Sequence, residues 1–240
     1  MESSLYVSLS GQVSMERRLN TIARNVANMN TAGYRADEVK FDSLVTSPGR
    51  DKIAFASEGA TYISRQAGAI EQTGNALDVA ISGEGWLAMR TGNGVAYTRD
   101  GRMQLGVDGV LRSVTGNAIL DAGEAEIALD PLGGRPTIGK DGTIMQGNRR
   151  VGVIGLFSID PQAKLSRVGN SGVVPDRPAE PILDFVNNGI EQGYVEGSNV
   201  NPIMEISKLI EVTRTFDSTN SAVQGAEDVR RRAIRELGGG

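Results

Sequence analysis

The sequence contains no cysteine and no histidine. Their absence excludes thiol nucleophiles, disulfides, zinc sites built from Cys and His, Ser-His-Asp triads and imidazole acid–base catalysis. Carboxylate, lysine, serine and tyrosine chemistry remains available, but aromatic residues are only 5% of the chain and 31 residues are glycine. This composition favours a structural protein over an enzyme, and we expect no cofactor and no metal site.

The chain also lacks a strong charge imbalance and a long apolar run. Its formal net charge is −4, so no basic field indicates nucleic acid or an anionic membrane as a partner. No stretch approaches about 18 uninterrupted apolar residues, so we predict no membrane insertion. The opening residues, "MESSLYVSLSGQVSMERR", lack a basic region and a compact apolar core, so no cleaved signal peptide is expected.

Helical periodicity is present at the N-terminal end of the chain. Residues 3–30 show helical spacing: Leu19, Ile22, Val26 and Met29 follow a 3-4-3 pattern, which is typical of a heptad seam, and the earlier apolar residues continue the face less regularly. Gly33 is suited to the left-handed conformation that ends a helix. The alternative is an ordinary amphipathic helix packed on a globular core. The candidate seam residues at this end are Leu5, Leu9, Leu19, Ile22, Val26 and Met29.

A second helical pattern begins near residue 201. Asn201 is a plausible N-cap, and Pro202 suits the first helical position. The pattern then follows 3-4-3-4-3 spacing with two polar members, Thr213 and Asn220. The candidate seam residues are Ile206, Leu209, Phe216 and Val223.

The first helical stretch also contains three polar residues, Asn25, Asn28 and Asn30. They either form hydrogen bonds with neighbouring helices or cap and terminate the helix that contains them.

The residues between the two predicted helices have a different sequence pattern. Residues 36–75 show no helical period, and we predict short strands and extended connections there. From 76 to about 185, short apolar runs alternate with turn signals, which predicts an all-β domain. The Asp-Gly pairs at 100–101, 108–109 and 141–142 suit tight hairpins.

Three short motifs suggest nucleotide or nucleic-acid binding, but the residues around each motif argue against that function. "GEGWLA" at 83–88 matches a dinucleotide fingerprint, but the residues after it predict a hairpin rather than a helix. "GRPTIGKD" at 134–141 nearly matches a P-loop, but an Asp-Gly turn begins where a helix is needed. The arginines of "DVRRRAIRE" at 228–236 alternate with acidic residues, which indicates a solvated helix face or a subunit contact rather than nucleic-acid binding.

The two terminal seams are each too narrow to be buried alone. We therefore expect them to pair with each other, and the remaining apolar surface to be covered by neighbouring subunits. The predicted fold class is α+β, with the N- and C-terminal α-helices paired as a coiled-coil-like hairpin and a central all-β domain.

Three segments of the chain resemble one known family in the same order. "LNTIARNVANMNTAGYR", "TGNALDVAISGEGWLAMR" and "GYVEGSNVNPIMEISKLIEVTRTFD" resemble the N-terminal, central and C-terminal motifs of the bacterial flagellar rod and hook family. Within that family, the "LYVSLSG" start and the "GSNVNPI" lead-in resemble the proximal rod members. A subunit of the distal rod is the alternative.

The resemblance implies a structural subunit that is exported unfolded through the flagellar export apparatus and polymerises in the periplasm with itself and other rod proteins. It implies a domain order of 1–35 as the N-terminal helix of an inner core, 36–75 as a connecting segment, 76–185 as a β-rich outer domain, and 186–240 as a loop and C-terminal helix. Two less favoured alternatives are a carboxylate-based hydrolase using a pair such as Asp78 and Glu84, and an export-associated binding module.

Overall fold

A computed structural model describes residues 2–40, 43–46, 53–56 and 60–237. The side chains of residues 2–9, 43–46, 53–56, 222, 226, 227, 230, 233, 234 and 237 are outside that description. The described residues form two compact units. Within the described ranges, no helix combines the length and apolar character needed to cross a bilayer.

The helical unit consists of residues 1–27, 37–62 and 201–240. Its two helices contact each other, and strands β1 and β3 contact α1. Strand β1 pairs with β4, and β2 pairs antiparallel with β3. The elements of this unit are α1 (Glu2–Ala27), β1 (Asp37–Lys40), β2 (Ser43–Thr46), β3 (Ile53–Ala56), β4 (Ala60–Ile63) and α2 (Pro202–Leu237).

Helix α2 has 36 residues, so it extends about 54 Å. It begins as the sequence predicts, because the Met204 amide donates a hydrogen bond to Asn201 Oδ1 at 3.2 Å. Threonines farther along the helix donate their hydroxyl hydrogens to carbonyls one turn earlier, for example Thr213 to Leu209 and Thr219 to Thr215. These bonds satisfy the hydroxyl groups within the helix itself.

The β-rich unit consists of residues 28–36 and 63–200. Its strands are short and, among the described residues, pair antiparallel. The strands are β5 (Ile70–Gln72), β6 (Val79–Ser82), β7 (Trp86–Thr91), β8 (Gly94–Thr98), β9 (Met103–Leu105), β10 (Leu111–Ser113), β11 (Ala118–Ile119), β12 (Pro136–Ile138), β13 (Thr143–Gln146), β14 (Arg149–Val153), β15 (Leu156–Ser158), β16 (Leu165–Val168), β17 (Gly172–Pro175), β18 (Glu180–Pro181), β19 (Gly189–Gln192) and β20 (Tyr194–Glu196).

Strand β7 is the centre of the largest sheet. The sheet order is β16-β17-β8-β7-β11-β10-β9, and β15 also pairs with β7 and with β18. Leu87 and Met89 of β7 enter one hydrophobic cluster, whereas Trp86 and Ala88 enter another. Successive side chains of a strand point to opposite faces, so both faces of the sheet are covered at β7. Smaller sheets complete the unit, in the orders β12-β13-β14, β6-β19 and β5-β20.

Two of the three predicted Asp-Gly hairpins are confirmed. Gly109 and Gly142 have φ of 77° and 79°, and they connect the antiparallel pairs β9–β10 and β12–β13. The prediction of a hairpin at 100–101 is wrong, because β8 and β9 are not neighbours in the sheet. Asp100 is instead buried, and its carboxylate accepts hydrogen bonds from Arg102 at 2.7 and 2.9 Å.

The predicted architecture of a coiled-coil-like hairpin with a central all-β domain is wrong. One N-terminal and one C-terminal helix accompany a large β-rich body, but the helices share their unit with β1 to β4. The physical reason is the polar content of the helix contact. Asn25 is buried and bonds the backbone of β1, so helix-to-strand hydrogen bonds replace part of the apolar packing that a coiled coil requires.

Candidate assembly surface on the two helices

The contact between α1 and α2 is built around Asn25. Its Nδ2 donates to the Asp37 carbonyl at 2.9 Å and to Glu205 Oε2 at 3.2 Å, and its Oδ1 accepts from the Asp37 amide at 2.9 Å. Lys208 donates to Glu205 Oε1 at 2.7 Å, and Arg24 to Asp37 Oδ2 at 3.1 Å. One buried amide therefore connects α1, β1 and α2.

Apolar burial in this contact is modest. Ile22 of α1 and Val212 of α2 are buried, and Leu209 and Phe216 are half-buried. Thr21 is also buried on the same side of α1. The contact is therefore a mixture of apolar and polar groups, and polar groups buried in this way need hydrogen-bond partners.

A groove of about 300 Å³ lies along this contact. Its apolar lining includes Ile22 and Val212, and its charged lining is Arg18, Asp37, Glu38, Glu205, Lys208 and Glu211. The Tyr62 hydroxyl donates a hydrogen bond to the Glu38 carboxylate, and this bond raises the pKa of Tyr62. With four carboxylates and two cations, the groove is acidic.

Helix α2 also carries a second apolar surface. Ile203, Ile206 and Ile210 are 77%, 48% and 49% exposed, and we call these three residues the isoleucine stripe. At 100° per residue they lie within about 60° of one another on the helix, and about 120° to 180° around the helix from Val212. Exposed apolar groups clustered in this way indicate an interaction surface.

The sequence-predicted seam residues are distributed unevenly. Ile22 is buried, while Leu19, Val26 and Val223 are half-buried on the helices, as is Met29 in the turn after α1. Leu209 and Phe216 are half-buried towards the contact, whereas Ile206 belongs to the exposed stripe. The side chains of Leu5 and Leu9 lie outside the described residues.

The predicted asparagines have different local roles. Asn25 forms the connection described above. Asn28 lies in the turn after α1, where its Oδ1 accepts from the Thr31 hydroxyl at 3.2 Å. Asn30 is exposed in that turn, and Asn201 caps α2. Which of them face a neighbouring molecule stays a prediction.

Sequence reasoning missed Glu205 and Asp37. Both are buried, although acidic residues are rarely buried without partners. The spacing on α2 offered one signal, since Glu205 precedes Leu209 and Val212 at 4-3 spacing. The partners of both carboxylates are distant in sequence, so local spacing could not identify them.

Comparison with known proteins matches three parts of the chain to models of one group of flagellar proteins. Residues 5–35 match the model described as "Flagella basal body rod protein", and residues 191–236 match "Flagellar basal body rod FlgEFG protein C-terminal". Residues 80–146 match "Flagellar hook protein FlgE/F/G D1 domain". The chain is 47% identical over 238 residues to the flagellar basal-body rod protein FlgF of Mesorhizobium japonicum, covering 99% of both chains.

The chain belongs to the flagellar basal-body rod family.

Other relatives within the rod family show how similarity is distributed. The FlgF protein of Rhizobium meliloti is 42% identical, with 100% of this chain and 99% of the relative covered. The FlgG protein of Bacillus subtilis is 28% identical, with 95% and 97% covered. The predicted resemblance to FlgF-type rod proteins is therefore confirmed.

The rod family is structural, which confirms the prediction that the chain is not an enzyme. The two carboxylates named for the hydrolase alternative lie in different environments. Asp78 is buried and accepts a hydrogen bond from Asn75 Nδ2 at 2.9 Å, whereas Glu84 is exposed.

Proposed function

We propose that this rod-family chain is a structural subunit of the flagellar drive shaft that polymerises with other copies and other rod proteins into a hollow helical tube. Segments 1–35 and 186–240 form the inner core, segment 76–185 forms the outer layer, and segment 36–75 connects them. The support is similarity along nearly the whole chain to proteins named as basal-body rod proteins.

The observation that carries the assembly proposal is the isoleucine stripe. One side of α2 contacts α1, while Ile203, Ile206 and Ile210 remain exposed on another side. Complete burial of an isoleucine side chain stabilises an association by roughly 1.5–3 kcal/mol. Burial of these three exposed isoleucines against a neighbouring subunit would therefore stabilise the assembly at this part of α2.

The proposal also covers how the chain reaches the periplasm and which part of the rod it occupies. As a rod component the chain would reach the periplasm through the flagellar export apparatus. Identities of 47% and 42% to two FlgF proteins, against 28% to a FlgG protein, favour the proximal rod over the distal rod. A distal-rod subunit is the second candidate.

The assembly role is tested with a charge on the stripe. Ile210→Lys should reduce incorporation into rods and swimming by at least about tenfold, because each interface would then bury an unpaired ammonium group. Thr215→Lys is the matched control, since Thr215 is exposed on a different side of α2. Both variants are compared in a strain lacking the native protein, with secreted protein and rod content measured together.

The expected result is normal secretion for both variants and rod assembly only for the control. Equal swimming at equal protein levels would contradict the proposal that the isoleucine stripe is an assembly contact. A secretion defect in both variants would instead locate the effect before assembly, and would be evident from the amount of protein outside the cell membrane.

A further inference from the structure

The β-rich unit contains a buried carboxylate between two arginines. Glu196, at the end of β20, is 1% exposed, and Arg35 and Arg99 are 3% and 2% exposed. Arg35 Nη2 lies 2.6 Å from Glu196 Oε1, and Arg99 Nη2 lies 2.7 Å from Glu196 Oε2. The Gly68 amide also donates to Oε1 at 3.0 Å. One carboxylate therefore pairs with two buried guanidinium groups, and it can neutralise the charge of only one of them.

The two arginines differ in how completely they are bonded. Arg99 donates from Nε to Glu196, from Nη1 to the Gly83 and Gly85 carbonyls, and from Nη2 to the Ile81 carbonyl at 3.1 Å. Arg35 bonds Glu196 through Nη2 alone. Its Nε and Nη1 are buried, and neither has a hydrogen-bond partner among the described residues. Unpaired donors on a buried charged group are strongly unfavourable.

Arg35 lines a cavity of about 300 Å³ together with Arg65, Arg99, Trp86 and Glu84. With Glu196 included, three guanidinium groups stand against two carboxylates. The Arg65 guanidinium is oriented by carbonyl groups, since it donates to those of residues 159, 160 and 163 at 2.9 to 3.2 Å. The Asp160 carboxylate also interacts with Arg65, but it forms an ion pair with Arg177. Counting both members of that pair, the guanidinium groups around the cavity still exceed the carboxylates by one.

The environment also makes the charge of Arg35 unusually costly. The pKa of Arg35 is lowered to about 10, chiefly because the guanidinium is buried; Glu196 partly opposes this shift, and Arg99 adds to it. A second negative group beside Arg35 would stabilise its charged form. Hydrogen bonds between arginine and an oxyanion are among the strongest in proteins.

We propose that this cavity is a binding site for one small oxyanion group, either a free phosphate, sulfate or carboxylate or the acidic side chain of another copy of the chain. The group accepts hydrogen bonds from the guanidinium of Arg35 and offsets the excess positive charge of the cavity. Glu84 at the edge of the site opposes binding, and the proposal does not depend on rod assembly.

The chain contains its own probe for this site. Trp86 is the single tryptophan of the sequence, and the guanidinium carbons of Arg35 and Arg99 lie 5.8 and 6.0 Å from its ring centroid. Tryptophan emission of the full chain is therefore followed during titration with sodium phosphate, sodium sulfate and sodium acetate. Ionic strength is held constant with sodium chloride, and we expect a saturable change for at least one oxyanion.

The main variant is Glu84→Gln, with Glu191→Gln as its control. Glu84 is exposed at the cavity, so its replacement removes one negative charge without disturbing the buried pair. Affinity for the oxyanion should rise at least about threefold. Glu191 is exposed but does not line the cavity, so its variant should bind as the native chain does. Arg35→Lys should weaken binding about tenfold, because lysine lacks the additional donors.

Two arms of the experiment distinguish the sources of the anion. If increasing the protein concentration in chloride alone changes Trp86 emission, and phosphate then competes, the occupant is an acidic side chain of another copy. If emission is independent of protein concentration but saturates with an oxyanion, the occupant is the free anion. No saturable change in any arm, or equal affinity of the Glu84 and Glu191 variants, would overturn the proposal and leave the donors of Arg35 to water.

Discussion

At the scale of single residues, Asn25 shows why a polar side chain lies on the buried side of α1. An asparagine offers two donors and two acceptor sites in one planar group. Here these groups bond the amide and carbonyl of Asp37 and the carboxylate of Glu205. The residue is therefore part of the interior of the helical unit, although its chemistry is that of a surface residue.

Asn25→Ala should destabilise the helical unit by about 2–4 kcal/mol, because it leaves three buried polar groups without this partner. Asn30→Ala is the control, since Asn30 is exposed in the turn after α1, and its effect should stay within about 0.5 kcal/mol. Urea unfolding followed by far-UV circular dichroism at 222 nm, where helix dominates, measures both. Equal midpoints for the two variants would show that the connection does not stabilise the unit.

Phe216 is the second residue whose role can be tested. It is half-buried on α2, in the direction of Val212. Phe216→Ala should therefore cost about 1–3 kcal/mol, less than the roughly 3–5 kcal/mol of a fully packed site, and should impair rod completion and motility. Export and folding of the β-rich unit should be retained.

The control for Phe216 is Thr215→Ala, because Thr215 is exposed on the same helix and lies away from the isoleucine stripe. Swimming is measured together with the amount of each variant that is exported. Normal swimming of the Phe216 variant at normal export would remove this residue from the assembly contact.

At the scale of elements, the turn after α1 depends on a glycine. Gly33 has φ of 65°, and its amide donates to the Glu196 carbonyl at 2.7 Å. A Cβ atom at this position would lie 2.1 Å from the backbone nitrogen of Asp100. Conformation and close approach therefore both require glycine here.

Gly33→Ala should destabilise the β-rich unit by roughly 3 kcal/mol or more, because a backbone clash is added to the strained φ. Gly116→Ala separates the two causes, since Gly116 has φ of 87° but open space around it, and it should cost about 1 kcal/mol. The melting temperatures of the two variants are compared by thermal unfolding followed by near-UV circular dichroism. If the two variants melt together, close approach to Asp100 contributes nothing.

At the scale of the whole molecule, the division into two units determines which fragment should fold alone. The sequence pattern predicts an independent β fragment at 76–185, whereas the β-rich unit consists of residues 28–36 and 63–200. The shorter fragment lacks Glu196, so Arg99 would be buried without its carboxylate partner. Removing one member of a buried ion pair costs about 3–5 kcal/mol.

A fragment of residues 28–200 should therefore melt cooperatively and at a higher temperature than one of residues 76–185. For a domain of this size, a loss of that magnitude corresponds to roughly 10 °C or more. Differential scanning calorimetry of both fragments measures the difference. Identical melting temperatures would show that segments outside 76–185 do not stabilise the β-rich unit.

The sequence by itself determined the local elements of this protein and its family. The cap at Asn201, the helix that starts at Pro202 and the hairpin glycines Gly109 and Gly142 follow from hydrogen bonds and backbone angles within a few residues. The family followed from three motifs in order. Such features are local, so the residues that specify them are adjacent in the sequence.

Only the tertiary structure decided what lies between those elements. It placed β7 at the centre of the largest sheet and grouped the four strands from β1 through β4 in one unit with the helices. It also brought Arg35, Arg99 and Glu196 together. These contacts link residues far apart in the sequence, and no periodicity connects them. The physical reason is that strand pairing and buried charge depend on which surfaces remain unsatisfied after local structure has formed, and chain spacing does not record that.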